Sequence, residues 1–262
     1  MKISVIIPAY NEENRIARTL NEYGNFFSKK KKNTQEFFDF EIIVVANACK
    51  DNTVSVAKEV QRKHKEIKIL DFKKGGKGFA VKEGFKEALN SKSDLIGYVD
   101  ADMATSPDAF YDLIENIRNY DGVLASRYIK GAVLNPKPTF IRKCASVIFN
   151  FLVRSLFFIP YRDSQCGAKI FKRKVIEKVL PKLTMSQWAF DIDLLYNAKK
   201  SGAKIKEIPT FWREMKGSKI NLKKSSIQMF LAVIQLRILN SKLKKSWKFF
   251  KPFAGMLYWI VR

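Results

Sequence analysis

The chain has 262 residues and a formal net charge of +24, from 49 lysines and arginines against 25 aspartates and glutamates. Hydrophobic residues make up 47%, enough for a folded core, which excludes a largely disordered chain. The charge calls for an anionic partner: a nucleic acid, an anionic membrane surface or a phosphorylated substrate. The three cysteines lie far apart, and their spacing favours neither a zinc site nor a disulfide framework.

Apolar, β-branched segments alternate with helical patterns through the first half of the chain. Strands are predicted over residues 3–7, 40–45, 67–72 and 95–99. Helices are predicted after a cap at Asn11 and over residues 53–65 and 79–89. We expect Pro8 to end the first strand and residues 29–32 to form an exposed loop before the second. The short connections predict a parallel sheet covered by helices on both faces.

The second half is less regular. Helices are predicted over residues 108–119, 140–158, 190–200 and 223–245, and strands over 122–125, 167–171 and 204–208. The 140–158 helix and the region beyond Lys216 have apolar faces edged by lysine and arginine, as helices lying in a membrane interface do. A core helix is the alternative for residues 140–158, and self-association is the alternative to membrane contact for the tail.

The change of composition at Lys216 sets the predicted domain boundary. We expect a catalytic domain over residues 1–215 and a basic, aromatic, amphipathic tail over residues 216–262. No signal peptide is predicted, because the first residues show neither a long apolar h-region nor a small-residue cleavage site. No membrane-spanning helix is predicted, because Arg154 and Arg237 interrupt the most apolar stretches.

An aspartate pair ends the fourth predicted strand, where ligands bind in an α/β sheet. Asp100 and Asp102 stand one residue apart, so their carboxylates repel each other unless a cation lies between them. Oxygen ligands of this kind suit Mg²⁺ or Mn²⁺, which share the phosphates of a bound nucleotide. Alone, the pair is also compatible with an ordinary solvated turn.

Three further loops follow strands at the same edge of the predicted sheet. The glycine-rich loop around Lys77 lets backbone approach a phosphate closely. Tyr10 and Glu12 after the first strand, and Asn47 after the second, can stack on a base or hydrogen-bond to its edge. The four loops together indicate a site for a nucleotide diphosphate and a divalent cation.

These segments resemble the inverting family 2 glycosyltransferases of GT-A fold, on residues 4–13 (SVIIPAYNEE) and the Asp-Ala-Asp at 100–102. Residues 77–84 and 126–128 narrow the resemblance to polyprenyl-phosphate glycosyltransferases. Residues 161–169, 188–195 and 214–220 are more similar to the dolichyl-phosphate glucosyltransferases than to the mannose enzymes. Two departures stand out: residues 46–49 (ANAC) replace the usual Asp-Asp-Gly-Ser, and Ala104 replaces a glutamine of the mannose-type enzymes.

The resemblance implies a GT-A fold, a mostly parallel sheet with helices on both faces, and inverting transfer of a sugar to dolichyl or polyprenyl phosphate. UDP-glucose is the expected donor, with UDP-GlcNAc and GDP-mannose as alternatives. A catalytically silent nucleotide-sugar-binding membrane protein is the alternative of a different class. No RNA-binding motif supports a nucleic-acid partner. The expected place is the cytoplasmic face of a membrane, the plasma membrane in a prokaryote or the endoplasmic reticulum in a eukaryote.

The same resemblance distributes roles over the candidate residues. The expected metal ligands are Asp100 and Asp102; the nucleotide-binding residues are Pro8, Tyr10, Glu12, Asn47, Lys77 and Asp100; the acceptor-phosphate residues are Arg127, Arg142 and Lys143; and the catalytic residues are Asp100, Asp102, Asp163 and Asp191. Asp163 and Asp191 either orient sugar hydroxyls or phosphate-binding arginines, or pair structurally with Arg162 or Lys169. No strong general base is expected, because a phosphate acceptor is already an anion.

Overall fold

The computed structural model describes residues 1–33, 38–185, 187–213 and 222–241. Its strands are β1 (Lys2–Ala9), β2 (Asp39–Asn47), β3 (Ile67–Phe72), β4 (Leu95–Tyr98), β5 (Gly122–Ser126), β6 (Val133–Asn135), β7 (Lys169–Lys172), β8 (Ile205–Pro209) and β9 (Phe211–Arg213). Its α-helices are α1 (Ile16–Asn33), α2 (Thr53–Lys63), α3 (Lys77–Asn90), α4 (Pro107–Glu115), α5 (Phe140–Phe157), α6 (Arg173–Val179), α7 (Phe190–Lys200) and α8 (Leu222–Leu239).

Seven strands form the central sheet, in the order β3-β2-β1-β4-β7-β5-β8. The first four strands pair in parallel, as the alternating sequence pattern predicted, and β5 pairs in parallel with β8. β7 lies antiparallel between β4 and β5. The predicted α/β class with a mostly parallel sheet is therefore confirmed. The sequence analysis did not predict the direction of β7, the helix α6 or the small parallel pair β6–β9.

Three local predictions around the first helix are wrong. Asn11 is not the helix cap: it has a left-handed φ of 54°, and α1 begins only at Ile16 after a turn. Pro8 does not end β1, because the strand continues to Ala9 with Pro8 opposite Val45. Residues 29–32 are not a loop but the last turn of α1, where the lysines face the partial negative charge of the helix terminus.

Two apolar layers cover the sheet. One layer joins the β-strands to α1, α2 and α4, and the other joins them to α3, α5, α6, α7 and α8. In α8, Ala232, Val233 and Leu236 are buried in the second layer. The predicted boundary at Lys216, the 214–220 motif, and the predicted helix end at 242–245 lie outside the described residues. No helix of the described part combines the length and apolarity needed to cross a bilayer.

Left-handed backbone turns the chain at the carboxyl ends of three neighbouring strands. Asn11 follows β1, Ala48 follows β2 and Met103 follows β4, with φ values of 54°, 55° and 62°. Gly76, before α3, has a φ of 124°. Residues other than glycine and asparagine tolerate this region poorly, so Ala48 and Met103 store backbone strain where the loops converge.

Ala48→Gly removes one such strain, so we expect it to raise the free energy of unfolding by about 1 kcal/mol. Ala46→Gly is the matched control, because Ala46 is fully buried in β2 with extended backbone. The control is expected to lower that free energy by about 1 kcal/mol, since glycine weakens a strand. Urea denaturation measures both, and a change of the same sign for the two variants would contradict the strain argument.

Candidate active site

Asp100 lies directly after β4 and meets residues from two other segments. The Nζ atom of Lys77, the first residue of α3, lies 2.7 Å from its Oδ1 atom. On the other side the carboxylate lies against the backbone of Gly167, where an added Cβ would overlap its Oδ2 atom. The predicted convergence of the glycine-rich loop and the aspartate pair is therefore found at this carboxylate.

Asp102 lies near Asp100, and the positively charged groups around it do not fully offset its burial and the repulsion from Asp100. Its Oδ1 atom accepts a hydrogen bond of 3.0 Å from the backbone N–H of Ala104. Burial and the negative charge of Asp100 raise the pKa of Asp102. The Ala104 N–H, Arg15 and Lys77 offset only part of that rise. A further cation between the two carboxylates would relieve their repulsion.

The chemistry of this donor pair fits Mg²⁺ or Mn²⁺. Both ions prefer carboxylate oxygens and fill their remaining positions with water or phosphate oxygens. Within the described ranges, no group of three or more His, Cys, Asp and Glu side chains has the arrangement of a metal site. Asp100 and Asp102 can thus supply part of a coordination sphere that a diphosphate would complete.

Asp191, on α7, is a buried carboxylate held by two lysines and a tyrosine. Its Oδ1 atom lies 2.5 Å from both the Nζ atom of Lys169 and the hydroxyl of Tyr98. Its Oδ2 atom lies 3.8 Å from the Nζ atom of Lys77. Burial raises the pKa of Asp191, but Lys169 and Lys77 outweigh that effect and lower it to about 2. Asp191 is therefore ionised at neutral pH, and it pairs with Lys169, one of the two structural partners expected from the sequence.

Asn47 links the ends of three segments at the nucleotide side of the site. Its Nδ2 atom donates a hydrogen bond of 2.8 Å to the carbonyl of Ala9, and its Oδ1 atom accepts one of 3.0 Å from the N–H of Gly76. The side chain thus uses both a donor and an acceptor within the protein, which an aspartate could not do. Contact of Asn47 with a base stays a prediction.

The loop after β1 presents one accessible ring and one paired carboxylate. Tyr10 is 51% exposed, so its ring is open to stacking. The two oxygens of Glu12 accept hydrogen bonds of 2.6 and 2.8 Å from Arg15. Pro8 is part of β1 itself. The nucleotide contacts proposed for these residues stay predictions.

Arg127 and Asp163 form a bidentate ion pair next to β5. The Nε and Nη2 atoms of Arg127 lie 2.7 and 2.9 Å from the two oxygens of Asp163, which is fully buried. The guanidinium group also lies 5.4 Å from the ring centres of Tyr128 and Trp212. Arginine has more N–H groups than this pair uses, so Arg127 can still bind an anion while Asp163 fixes its orientation.

The loop that carries Asp163 is joined to α5 by Asn150. The Oδ1 atom of Asn150 accepts hydrogen bonds of 3.0 and 2.9 Å from the backbone N–H and the hydroxyl of Ser164. Arg142 and Lys143, the other two acceptor-phosphate candidates, lie in the first turn of α5. The fold thus brings the helix of these two residues and the Arg127 pair to a common loop.

Sequence reasoning did not assign site roles to Lys169, Tyr98, Gly167 and Arg15. Lys169 was considered only as a structural partner of Asp163 or Asp191; its position between Ala168 and Ile170 in a predicted strand is a signal that it needs a carboxylate partner. No sequence pattern pointed to the contact of Gly167 with Asp100, which joins residues far apart in the chain.

Residues 4–180 match the model of the family Glycosyl transferase family 2. The chain is 33% identical to a dolichyl-phosphate beta-glucosyltransferase of Dictyostelium discoideum over 90% of this chain and 73% of that protein. It is 34% identical to that of Drosophila melanogaster (87% and 72%) and 32% identical to that of Homo sapiens (91% and 76%).

Solved structures share the fold at lower identity. Glucosyl-3-phosphoglycerate synthase of Mycobacterium tuberculosis, solved with Mn²⁺, UDP and phosphoglyceric acid, is 15% identical with a TM-score of 0.66, over 90% of this chain and 78% of that one. A mannosyltransferase of Pyrobaculum calidifontis, solved with GDP-Man and Mn²⁺, is 17% identical with a TM-score of 0.63, over 98% and 69%. The likeness supports a GT-A-like arrangement of sheet and helices.

Asp163→Asn leaves Arg127 without its buried counter-charge, so we expect the free energy of unfolding to fall by about 3 kcal/mol. Glu177→Gln is the matched control, because it removes an exposed carboxylate that also lies 2.7 Å from an arginine, Arg173. The control is expected to change that free energy by less than about 0.5 kcal/mol. Urea denaturation of both variants checks this, and equal losses would contradict the argument from burial.

Proposed function

The chain belongs to glycosyl transferase family 2, and we propose that it transfers glucose from UDP-glucose to dolichyl phosphate or a related polyprenyl phosphate, with inversion. The observation that carries the proposal is the meeting of Lys77 with the aspartate pair at the carboxyl edge of the sheet. Relatives that match about nine-tenths of the chain are dolichyl-phosphate beta-glucosyltransferases, which supports the choice of sugar and acceptor.

The donor side of the site matches the charges of a nucleotide diphosphate. Asp100 and Asp102 would hold Mg²⁺ or Mn²⁺, which supplies neutralisation of the negative charge that builds up on the departing diphosphate. Lys77 adds a second positive charge at the start of α3, whose N-terminus also favours phosphate. Tyr10 offers an exposed ring for the base. UDP-GlcNAc and GDP-mannose are the alternative donors, since residues 46–49 depart from the usual base-binding turn.

The acceptor side needs an anion clamp rather than a general base. A phosphate monoester is already ionised at neutral pH, so it can attack without giving up a proton to the protein. Arg127, fixed by Asp163 and flanked by two aromatic rings, is the central part of that clamp. Arg142 and Lys143 add positive charge from the first turn of α5. We assign Asp163 and Asp191 the positioning of Arg127, Lys77 and Lys169.

A membrane surface is the proposed source of the lipid phosphate. α5 exposes large apolar side chains on one side: Phe140, Ile141, Val147, Ile148 and Phe151, followed by Phe158. Its other side buries Asn150, Val153 and Phe157. Exposed rings edged by Arg142, Lys143 and Arg154 suit the boundary between headgroups and acyl chains. We place this face on the cytoplasmic leaflet and add, as a second contact, the parts of the 216–262 tail other than the buried face of α8. Self-association through either surface is the competing arrangement.

Asp102→Asn is expected to lower transfer about 100-fold or more, because it weakens electrostatic stabilisation of the leaving diphosphate. Purified protein in detergent would receive UDP- and GDP-sugars, Mn²⁺ and a polyprenyl phosphate, with the lipid product identified by mass. Asp108→Asn, which removes an exposed carboxylate on α4, is the control with retained activity. Absence of glycolipid across the whole panel would overturn the enzyme proposal in favour of a silent nucleotide-sugar-binding protein.

Phe151→Glu is expected to weaken binding to vesicles of anionic and zwitterionic phospholipid by about 10-fold or more. The substitution removes an aromatic ring that would be buried in the membrane and adds a negative charge that anionic headgroups repel. Ser55→Glu, on the exposed side of α2, adds the same charge elsewhere and serves as the control. Vesicle flotation measures both variants. Equal flotation, together with a smaller oligomer for Phe151→Glu in light scattering, would favour self-association instead.

A further inference from the structure

The two oxygens of Asp100 have different surroundings. Oδ1 lies 2.7 Å from the ammonium group of Lys77, and Oδ2 lies close to the backbone of Gly167. A divalent ion that approaches Oδ1 must therefore compete with Lys77, while the Gly167 backbone leaves little room beside Oδ2. The Asp100–Lys77 pair is partly exposed, with 38% and 36% of the two side chains accessible, so water can reach it.

The backbone of Lys77 is fixed while its side chain has room to move. Gly78, the next residue, lies so close to Phe190 that an added Cβ would be 2.6 Å from the Cβ of that residue. The start of α3 is thus held tightly against the start of α7. Only the flexible side chain of Lys77, and not the helix, is free to exchange Asp100 for another anion.

The net charge of the groups around Asp100 indicates that Lys77 leaves this carboxylate only when another anion binds. Asp100 and Asp191 pair with the ammonium groups of Lys77 and Lys169. Asp102 is influenced at longer range by Lys77 and by Arg15, which is itself paired with Glu12, so this group of charges has one negative charge left over. A divalent ion alone would more than cancel that charge and would lie next to the Lys77 ammonium group. Transfer of Lys77 from Asp100 to the Oδ2 atom of Asp191 would place both ammonium groups on one carboxylate, because the Oδ1 atom of Asp191 already binds Lys169 and Tyr98. A nucleotide diphosphate supplies the missing anion.

We propose that Lys77 is a built-in counter-ion that occupies Asp100 until a nucleotide diphosphate arrives, so that metal and nucleotide bind synergistically. When the diphosphate binds, the Lys77 ammonium group passes to a phosphate oxygen, and Asp100 becomes available to the divalent ion. The coupling is reciprocal: the metal tightens nucleotide binding by the same factor. This inference rests on the metal site of the proposed function and adds the order in which that site is filled.

The test measures Mn²⁺ binding itself, from the electron paramagnetic resonance signal of free Mn²⁺, with and without UDP. In the unaltered protein, UDP is expected to raise Mn²⁺ affinity by about 10-fold or more. This factor comes from the interaction energy of two unit charges at close range near a protein surface, here Lys77 and the bound Mn²⁺. Lys77→Gln is expected to bind Mn²⁺ about 10-fold more tightly than the unaltered protein when UDP is absent, and to gain little from UDP.

Two further variants distinguish the counter-ion role of Lys77 from a general effect of removing positive charge and from a disturbance of the fold. Lys74→Gln removes an exposed lysine of the same loop that lies over the Phe79 ring, and it should leave Mn²⁺ affinity within about twofold. Lys77→Arg keeps the charge and should keep both the weak binding and the gain from UDP. Thermal melting of each variant verifies that it is folded.

Equal Mn²⁺ affinity of Lys77→Gln and the unaltered protein without UDP would overturn the proposal. So would an equal gain from UDP in both, or no Mn²⁺ binding in any variant. The transfer assay is run separately with EDTA, so glycolipid formed without metal would leave the proposed reaction standing while removing the counter-ion role.

Discussion

Three carboxylates, Asp100, Asp102 and Asp191, share one sheet edge with the ammonium groups of Lys77 and Lys169. Asp191 and Lys169 are buried, and removing such charges from water costs several kcal/mol per ion, so each of these two needs a partner at close range. That need brings β4, β7, α3 and α7 together around one point. The tight contacts at Gly78 and Gly167 follow from it, because side chains there would push the partners apart.

The parts of this arrangement that come from consecutive residues could be predicted. The four parallel strands and their loops follow from alternation of apolar runs with helical patterns, and parallel strands bring their loops to one edge. The ion pairs could be predicted only as alternatives, without a choice between the possible partners. Asp163 pairs with Arg127 and Asp191 with Lys169, across 36 and 22 residues, and many other lysines and arginines were available in a chain of +24.

Short elements fixed by tertiary contacts also escaped the sequence analysis. β6 and β9 have three residues each and are stabilised by each other and by a bridge from Thr105 to Trp212. Asn11 was predicted to cap a helix because asparagine is common at helix N-caps. Asparagine also tolerates left-handed backbone, and Asn11 adopts that conformation in the turn after β1. The predicted bounds of α5 agree with the structure to within one residue. The hydrogen bonds between Asn150 and Ser164 were not predicted, because nothing in the apolar stretch around Asn150 indicates its partner.

The position of β7 in the sheet has a consequence for the order of assembly. β1 to β4 find all their parallel partners among residues 2–98, so they can pair while the rest of the chain is still being synthesised. β5 is connected to β1–β4 through β7, which follows it in the chain by the whole of α5, and its other neighbour, β8, comes later still. Until Lys169–Lys172 leaves the ribosome, the edge of β4 stays open and β5 has no place beside it. The growing chain therefore passes through a stage with unpaired strand edges, and such edges are the places where partly folded chains associate.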